Sequence, residues 1–363
     1  MAAEIKHNLS AVLYDIDNIQ LEHRDIPEVG DYDALLEMCC VGICGSDLHY
    51  WKRGRIADFI VKEPMVMGHE SSGIVVKVGS KIRHLKAGDR VAIEPGVPCR
   101  RCLYCKKGQY NLCPDIVFCA TPPHHGNMGR YYVHPADFCY KLPDNVSLEE
   151  GALLEPLSVG VHACRRGNVQ VGSTVLILGC GPIGLVTLLT AKAMGASKVV
   201  ITDIIESRLE VAKELGADYT VVVKPDDSEE HLSEVITELL EDMPSITIDC
   251  SGFETTIKLG LKVTKPGGTL VVVGMGAAEV KIPLISGLCK EVDIKGCFRY
   301  ANDYESALAM VATGKVNVKR LITHNYKMEE VVKAFNTAHT GAGNAIKVMI
   351  HCRSEASLYK NEI

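Results

Sequence analysis

The hydrophobic pattern of this chain changes character near Gly172. Before that point, short apolar runs rich in β-branched residues are separated by Gly, Pro and Asp, as in residues 72–78 and 89–94. Such runs are typical of short strands joined by turns. The first part of the chain therefore predicts a largely antiparallel, β-rich domain.

Beyond Gly172, apolar strands alternate with helical segments. Strands are predicted over residues 174–178, 198–202, 219–223, 246–249 and 269–273. A helix is predicted over residues 182–194. This alternation predicts an α/β fold with a doubly wound parallel sheet that carries helices on both faces, as in the Rossmann fold. We expect this domain to span residues 158–296, and residues 1–157 with 297–363 to form the β-rich domain.

The uncharged stretch over residues 167–191 is long enough to suggest a membrane span. Its internal Gly179, Gly181 and Gly184 instead divide it into a strand, a turn and a helix. Residues 1–7 contain no apolar signal segment, so the 15 cysteines favour free thiols and metal ligands over a secreted disulfide framework. We therefore expect a cytoplasmic protein with no membrane partner.

Length and charge narrow the classes of function. The chain has 363 residues, enough for two domains, because single hydrophobic cores stop growing at about 250–300 residues. Its formal net charge is −6. An acidic protein repels phosphate backbones, so we expect no nucleic-acid partner.

Residues 179–184, with the sequence GCGPIG, follow a predicted apolar strand and open a predicted helix. Gly179, Gly181 and Gly184 permit a tight turn and let a pyrophosphate approach the N-terminus of the helix. Asp203 ends the next predicted strand, where its carboxylate can accept hydrogen bonds from a ribose hydroxyl. The segment predicts a dinucleotide site. The alternative is that the glycines only pack helix on strand and Asp203 caps the following helix.

Asp203 also affects the predicted choice between NAD and NADP. Asp203 would repel the 2′-phosphate of NADP, so NAD is the predicted cofactor. Arg208 lies nearby along the chain, and an arginine could stack on adenine or bind a phosphate. Some use of NADP therefore stays open.

Four cysteines lie within 15 residues, at Cys99, Cys102, Cys105 and Cys113. Four thiolates can complete a tetrahedral shell around one zinc ion and leave no position for a substrate. The spacing therefore predicts a closed, structural zinc site. The alternatives are buried free thiols and a nucleic-acid-binding zinc module, which the acidic chain disfavours.

Cys44, His69 and Glu70 offer a thiolate, an imidazole and a carboxylate from separate segments. An incomplete shell of this kind keeps a coordination position open for water or substrate. Each residue also has an ordinary interpretation, as a small core thiol, a buried histidine or a surface acid. Their combination with the cysteine cluster and the dinucleotide segment favours an open zinc site.

Several segments together resemble the zinc-dependent medium-chain dehydrogenase family. They are residues 42–50, 68–70, the four-cysteine cluster, 155–160, 179–184 and 298–300. The resemblance covers nearly the whole chain except the tail after His351, and it implies a GroES-like fold for the β-rich domain. Within the family the chain is similar to the polyol branch, because Glu155 stands where alcohol dehydrogenases place a cysteine.

The resemblance implies roles for individual residues. Cys44, His69 and Glu70 would hold the catalytic zinc, and Glu155 would complete the site directly or through water. Polyol contacts are implied for Tyr50, Glu155, Arg299 and Tyr300. Cofactor contacts are implied for Ile183, Asp203, Arg208, Val273, Gly274, Met275, Cys297, Phe298 and Arg299. The resemblance also implies a homotetramer.

The predicted reaction interconverts a polyol such as sorbitol and a ketose such as fructose, with hydride transfer to NAD. Ser46 and His49 would relay the hydroxyl proton to solvent. The alternative for His49 is a structural hydrogen bond, and for Arg299 it is stacking on an aromatic ring. A xylitol, arabinitol or threonine dehydrogenase would use the same machinery. A non-catalytic protein that binds NAD and zinc is the remaining alternative.

Overall fold

The computed structural model describes residues 8–353. Residues 1–7, on which the expectation of a missing signal segment rests, and residues 354–363 lie outside the described residues. The chain divides into two compact units, Met1–Glu155 with Val318–Ile363, and Pro156–Asn317.

Strands and helices occur along the whole described chain. The strands are β1 Asn8–Asp15, β2 Asn18–Arg24, β3 Asp33–Gly42, β4 Arg55–Ile56, β5 Phe59–Ile60, β6 Met65–Val66, β7 Glu70–Val78, β8 Arg90–Ile93, β9 Gly96–Val97, β10 Val117–Phe118, β11 Tyr131–Pro135, β12 Cys139–Lys141, β13 Thr174–Leu178, β14 Lys198–Asp203, β15 Tyr219–Val222, β16 Ile246–Asp249, β17 Thr269–Val272, β18 Asp293–Gly296, β19 Ile322–Lys327 and β20 Lys347–His351. The α-helices are α1 Gly45–Arg53, α2 Leu103–Lys106, α3 Leu148–Ala152, α4 Leu154–Gly167, α5 Pro182–Ala193, α6 Glu206–Glu214, α7 Glu229–Leu240, α8 Glu254–Val263, α9 Leu284–Leu288, α10 Tyr304–Ala312 and α11 Val331–Thr340. Short 3₁₀ helices cover Tyr110–Leu112, Ala136–Phe138, Val318–Leu321 and Met328–Glu330.

The first unit is built on a mixed but largely antiparallel sheet, as the short apolar runs predict. Its strand order is β12-β8-β7-β3-β20-β19, and β11 also pairs with β3. Strand β20 joins from the far end of the chain, with Ile350 opposite Val41 in antiparallel register. Most side chains of β3 are buried. Strand β3 lies in the middle of this order, and it supports the segments that carry the candidate metal ligands.

The second unit contains a six-stranded sheet in the order β15-β14-β13-β16-β17-β18. All of its pairs are parallel. The first five of its strands along the chain begin where the pattern predicts and end within one residue of the predicted positions, whereas β18 was not predicted. Strand β13 reads TVLIL, and its last four residues are buried. Near-continuous apolar runs are what a parallel sheet covered on both faces requires.

The uncharged stretch over residues 167–191 forms the end of α4, strand β13 and most of helix α5. Gly179 has a φ of 97°, a left-handed conformation that breaks the segment between strand and helix. No helix in the described part of the chain is long and apolar enough to cross a membrane.

The compact units divide at Asn317 and Val318, later than the expected return to the first domain at residue 297. The fully buried Asp303 contributes to this difference. Its Oδ2 lies 3.0 Å from His162 Nδ1, and its Oδ1 accepts a hydrogen bond from Arg165. These contacts tie the segment before α10 to helix α4, so residues 297–317 belong with the second unit.

Candidate functional site

The three predicted ligands of the open metal site meet at the start of α1. Cys44 is the N-cap of α1, and His69 and Glu70 lie where β7 begins. Their ligand atoms all lie within 4.8 Å of one another. His69 and Glu70 are buried, with exposures of 6% and 1%. The structure therefore places a thiol, an imidazole and a carboxylate around one point.

Asp47 positions two of these three ligands, although sequence reasoning gave it no role. The side chain is fully buried, and its Oδ2 accepts a hydrogen bond from the Cys44 backbone N–H at 2.9 Å. Its Oδ1 accepts from the N–H of Gly68 at 3.3 Å and lies 3.6 Å from Nδ1 of His69. A carboxylate beside one ring nitrogen commonly directs the other nitrogen toward a metal. The signal available in the sequence was an acid at the third position of a helix that begins with a ligand.

Burial and nearby charge shift the pKa of His69 in opposite directions. Burial lowers the pKa of its imidazole, but the carboxylate of Asp47 and the sulfur of Cys44 raise that pKa well above its usual value. Nδ1 of His69 is buried and has no hydrogen-bond partner among the described residues. Since Nδ1 lies beside the Asp47 carboxylate, the other ring nitrogen is the one available to a metal, and the surrounding negative charge is an environment that a bound cation would complete.

Lys347 is the second residue of this site that the sequence did not reveal. Its Nζ lies 2.7 Å from both carboxylate oxygens of Glu70 and donates to the carbonyl of Ile43 at 3.2 Å. Both partners are almost fully buried, at 3% and 1% exposure. Burial lowers the pKa of Lys347, but the charges of Glu70, Cys44 and Glu155 raise it overall. Glu155, itself 5% exposed, therefore lies within electrostatic reach of the metal ligands.

The residues present fit a zinc ion. Cys, His and Glu are all established types of zinc ligand. Both oxygens of Glu70 already accept from Lys347, but a carboxylate offers about four lone-pair sites. Glu70 can therefore contact a metal and the ammonium together. Gly42 makes room for this carboxylate, because a Cβ at that position would lie 2.3 Å from Glu70 Oε2.

Helix α1 also carries the predicted proton relay and one predicted substrate contact. Ser46 and His49 are half-buried, and Tyr50 is buried. Burial, with a smaller contribution from the charge of Arg53, lowers the pKa of His49. A neutral imidazole at pH 7 is available to accept a proton.

The four-cysteine cluster assembles around helix α2. The sulfur atoms of Cys99, Cys102, Cys105 and Cys113 all lie within 4.8 Å of one another. Cys102 and Cys105 have their sulfurs 3.4 Å apart, and those of Cys99 and Cys105 are 4.0 Å apart. Four sulfurs around a tetrahedral zinc would be separated by about 3.8 Å. The backbone N–H groups of Arg101 and Cys102 lower the pKa of Cys99 to about 7, whereas burial raises the pKa of Cys105 and of Cys113. This geometry and chemistry fit a zinc ion.

The predicted dinucleotide residues come together at one edge of the parallel sheet in the second unit. Chain order reverses between β13 and β16, the switch point at which folds of this kind bind ligands. The predicted residues follow the carboxyl ends of the strands. They are Gly179, Gly181, Ile183 and Gly184 after β13, Asp203 at the end of β14, Val273, Gly274 and Met275 after β17, and Cys297, Phe298 and Arg299 after β18. Arg208 lies on α6.

Two of these glycines are needed for different reasons. A Cβ at Gly184 would lie 1.9 Å from the carbonyl oxygen of Gly179, so helix α5 can pack on β13 only with glycine at that position. A Cβ at Gly181 would meet no protein atom within 4 Å. Gly181 is the N-cap of α5 and has an ordinary φ of −74°. The open space beside it, at a helix N-terminus, fits an approaching pyrophosphate.

Asp203 is held by the backbone of this turn. Its Oδ2 accepts from the N–H of Cys180 at 2.7 Å, and its Oδ1 accepts from the N–H of Ile205 at 2.9 Å. The next helix begins at Glu206 with Ile205 as its N-cap, so Asp203 does not take the capping position. A carboxylate fixed at the end of the second strand is suited to hold a ribose.

The substrate candidates of the second unit lie after β18. The guanidinium of Arg299 is 4.8 Å from the centroid of the Phe298 ring, so the stacking considered as its alternative is present. Tyr300 is buried, and its ring centroid lies 5.6 Å from that of Tyr304.

Asp249, which sequence reasoning missed, shapes the turn beside the switch point. It ends β16, is fully buried, and accepts hydrogen bonds from the hydroxyl of Ser251 and the N–H of Gly252, each at 2.9 Å. Burial raises the pKa of Asp249. The available signal was its place at the end of a predicted strand.

Two family models match the chain. Residues 30–144 match the alcohol dehydrogenase GroES-like domain, and residues 182–313 match the zinc-binding dehydrogenase domain. Among curated proteins, the chain is 56% identical over 353 residues to a sorbitol dehydrogenase from Mus musculus, covering 97% of this chain and 98% of that relative.

Solved structures show the same fold. An oxidoreductase/dehydrogenase of unknown specificity from Escherichia coli superposes with a TM-score of 0.91 at 36% identity, covering 96% of this chain and all of the other. An alcohol dehydrogenase from Escherichia coli CFT073, complexed with NADH, superposes with a TM-score of 0.88 at 26% identity and covers 95% of this chain and 99% of the other.

Proposed function

Because the chain belongs to the zinc-dependent medium-chain dehydrogenase family, we propose that it is an NAD-dependent enzyme that interconverts a polyol such as sorbitol and a ketose such as fructose. The observation that carries the proposal is the meeting of Cys44, His69 and Glu70 in one buried cluster. The unit built from Met1–Glu155 and Val318–Ile363 would be the catalytic part, and Pro156–Asn317 the dinucleotide-binding part.

The proposed ligands of the catalytic zinc are Cys44, His69 and Glu70, with Glu155 as a further ligand directly or through water. When bound, such an ion supplies Lewis acidity that lowers the pKa of a substrate hydroxyl. Asp47 keeps Cys44 and His69 in place, and Lys347 holds Glu70 at the site. Cys99, Cys102, Cys105 and Cys113 are the proposed ligands of a structural zinc.

Proton transfer is assigned to helix α1. The hydroxyl of Ser46 would take the proton that the substrate loses and pass it to His49. Since burial and Arg53 lower the pKa of His49, its ring is neutral near pH 7 and can accept that proton. Its partial exposure would let the proton reach solvent.

Several polar side chains would distinguish a polyol from a simple alcohol. Tyr50, Glu155, Arg299 and Tyr300 are the proposed partners of the substrate hydroxyls. A buried site built to hydrogen-bond a hydroxyl rejects an analogue that lacks it, because the polar groups of the site then stay unpaired. Ethanol should therefore be a poor substrate.

The proposed cofactor is NAD, bound across the carboxyl edge of the parallel sheet. The pyrophosphate would lie beside Gly181 at the N-terminus of α5, and Asp203 would accept hydrogen bonds from the adenosine ribose. The nicotinamide ring would accept the hydride. As part of this proposal, the family resemblance supports a homotetramer, and the free cysteines favour a cytoplasmic location.

The test is a set of initial rates with NAD against sorbitol, xylitol and ethanol, before and after removal and return of zinc. We expect polyol oxidation that is lost with zinc and restored by it, with little turnover of ethanol. Turnover that survives removal of the metal would contradict the mechanism. A zinc-loaded protein without polyol activity would contradict the substrate class.

A further inference from the structure

A second trio of Cys, His and Glu lies in the first unit, outside the site described above. The sulfur of Cys40, a ring nitrogen of His351 and a carboxylate oxygen of Glu149 all lie within 4.8 Å of one another. Cys40 is buried, and Glu149 and His351 are half-buried. The donor set is the same as that of the candidate catalytic site: one thiol, one imidazole and one carboxylate.

The three donors are held in place by hydrogen bonds of the fold itself. Cys40 on β3 stands directly opposite His351 on β20, in antiparallel register. On its other side Cys40 faces Ser72 of β7. The hydroxyl of Ser72 donates to the carbonyl of Leu148 at 2.5 Å, which fixes the start of the helix that carries Glu149. Two strands and one helix therefore present the trio without any contribution from a metal.

His351 is oriented as a metal ligand usually is. Its Nε2 lies 2.8 Å from Oδ1 of Asn325, an oxygen that can only accept, so Nε2 carries the proton. Nδ1 then keeps its lone pair and lies 3.8 Å from the sulfur of Cys40. Ligand histidines almost always donate their other N–H to an oxygen in this way, because the bond fixes the tautomer and the ring orientation.

The spacing suits a tetrahedral ion. With Zn–S near 2.3 Å and Zn–N near 2.05 Å, a tetrahedral site separates the two ligand atoms by about 3.6 Å. The observed separation between Cys40 Sγ and His351 Nδ1 is 3.8 Å. The trio would need to close only slightly around the ion.

We propose that Cys40, Glu149 and His351 form a further zinc site, in which water occupies the fourth position. The thiolate and the carboxylate together neutralise the charge of the ion, and the mixed sulfur, nitrogen and oxygen donors favour zinc over Mg²⁺ or Ca²⁺. Binding releases the thiol proton of Cys40 to solvent. The ion would join β3, β20 and α3, and so stabilise the sheet from which Cys44 and Lys347 reach the catalytic cluster.

The arrangement Cys40, His351, Asn325 also resembles the nucleophile, base and orienting amide of a cysteine hydrolase, but the environment opposes that use. A nucleophilic cysteine needs a lowered pKa. Burial and the charge of Glu149 raise the pKa of Cys40 well above its usual value.

An entry path for the ion is present. All three donors line a cavity of about 970 Å³ that lies between β3, α3 and β19. Three arginines also line it, but Arg130 pairs with Glu329 at 2.6 Å, Arg353 lies 3.4 Å from Glu37, and Arg90 lies 3.8 Å from Asp144. Their charges are thereby offset near the site.

The test compares zinc content at saturation in the wild-type protein, His351→Gln and Glu149→Gln, after complete stripping and reloading with zinc alone. We expect each variant to hold one zinc per chain fewer than the wild type, whatever the occupancy of the other two clusters. Glu149 is half-buried and its replacement is nearly isosteric, so this variant should fold.

Cys39→Ser is the matched control. Cys39 is a buried neighbour that lines the same cavity, but it does not belong to the trio. This variant should bind as much zinc as the wild type. Zinc should also raise the thermal midpoint of the wild type and Cys39→Ser more than that of Glu149→Gln. Equal zinc content in all four proteins would overturn the proposal, whether or not the enzyme oxidises polyols.

Discussion

At the scale of single residues, the pair formed by Lys347 and Glu70 decides how the candidate metal site is charged. Replacing Lys347 by Met leaves the Glu70 carboxylate buried without its cation. Removing one partner of a buried pair costs about 3–5 kcal/mol. Urea unfolding of the metal-free protein should show a loss of this size.

Lys213→Met is the control for this prediction. Its Nζ also lies 2.7 Å from a carboxylate oxygen, that of Glu210, but both side chains are more than half exposed. Exposed pairs contribute about 0–1 kcal/mol. A loss for Lys347→Met no greater than that of the control would contradict the argument. Because the pKa of Lys347 is raised in the folded state, its contribution is complete at pH 7 and is lost only above the ordinary lysine pKa of about 10.4.

Asp203 is the residue on which the proposed preference for NAD depends. Asp203→Asn removes the negative charge that would hold the ribose and repel a 2′-phosphate. Since a hydrogen bond to a charged group contributes about 1.5–3 kcal/mol, the KM for NAD should rise about 10-fold or more. The preference for NAD over NADP should fall. Steady-state rates with both cofactors measure this, and an unchanged preference would count against the assignment.

At the scale of elements, Gly184 and Gly181 of one turn allow helix packing and ligand binding to be tested separately. Gly184→Ala places a Cβ 1.9 Å from the carbonyl oxygen of Gly179, so helix α5 must move off β13. Overpacking of this kind costs about 1–3 kcal/mol or more. Thermal unfolding should show a clear loss of stability.

Gly181→Ala provides the comparison within the same turn. It meets no protein atom within 4 Å, so its stability should match the wild type or exceed it slightly. Its Cβ would occupy the space beside the helix N-terminus, and NAD binding measured by fluorescence titration should weaken. If Gly181→Ala binds NAD as the wild type does, the pyrophosphate does not lie there.

His134 on strand β11 makes the free energy of unfolding depend on pH. Burial lowers the pKa of His134 to about 4, and its Nε2 lies 2.8 Å from the carbonyl oxygen of Glu94, next to β8. The folded state therefore favours the neutral ring. The neutral ring therefore adds to the free energy of unfolding. This contribution is complete above the ordinary histidine pKa of about 6.5 and is lost as the pH falls toward 4. Over that window the loss amounts to about 3 kcal/mol.

The measurement is the free energy of unfolding at pH 7 and pH 4.5 for the wild type and His134→Gln. The variant should lose less stability between the two values. His231→Gln, at an exposed position of α7, should lose as much as the wild type. An identical pH dependence in all three proteins would show that His134 does not titrate as described.

At the scale of the whole molecule, the proposed zinc ions would take the place that disulfides have in secreted proteins. All 15 cysteines are free thiols. A reductant should therefore leave the thermal midpoint unchanged, whereas a strong chelator should lower it by several degrees, since each kcal/mol shifts the midpoint of a domain of this size by about 2–4 °C. Cys102→Ser should have a lower midpoint before chelation, and the exposed Cys289→Ser should not. A chelator without effect would contradict the closed zinc site.

Local patterns determined much of this protein. Buried parallel strands are near-continuous apolar runs, so five of the six strands of the second unit were predicted to within one residue, and β18 was missed. The four-cysteine cluster could also be predicted from the sequence, because all of its ligands lie on one short segment. Motif spacing and family resemblance also identified Cys44, His69 and Glu70 as one cluster, which the structure assembles.

Only the tertiary structure decided which distant residues complete these clusters. Lys347 meets Glu70 across 277 positions of sequence, and His351 meets Cys40 across 311. Both contacts depend on β20 pairing with β3, a choice of partner and register that no local pattern contains. The boundary at Val318 likewise depends on Asp303 and its bonds to α4. Sequence periodicity reports which face of an element is buried, whereas long-range pairing decides which side chains share that buried space.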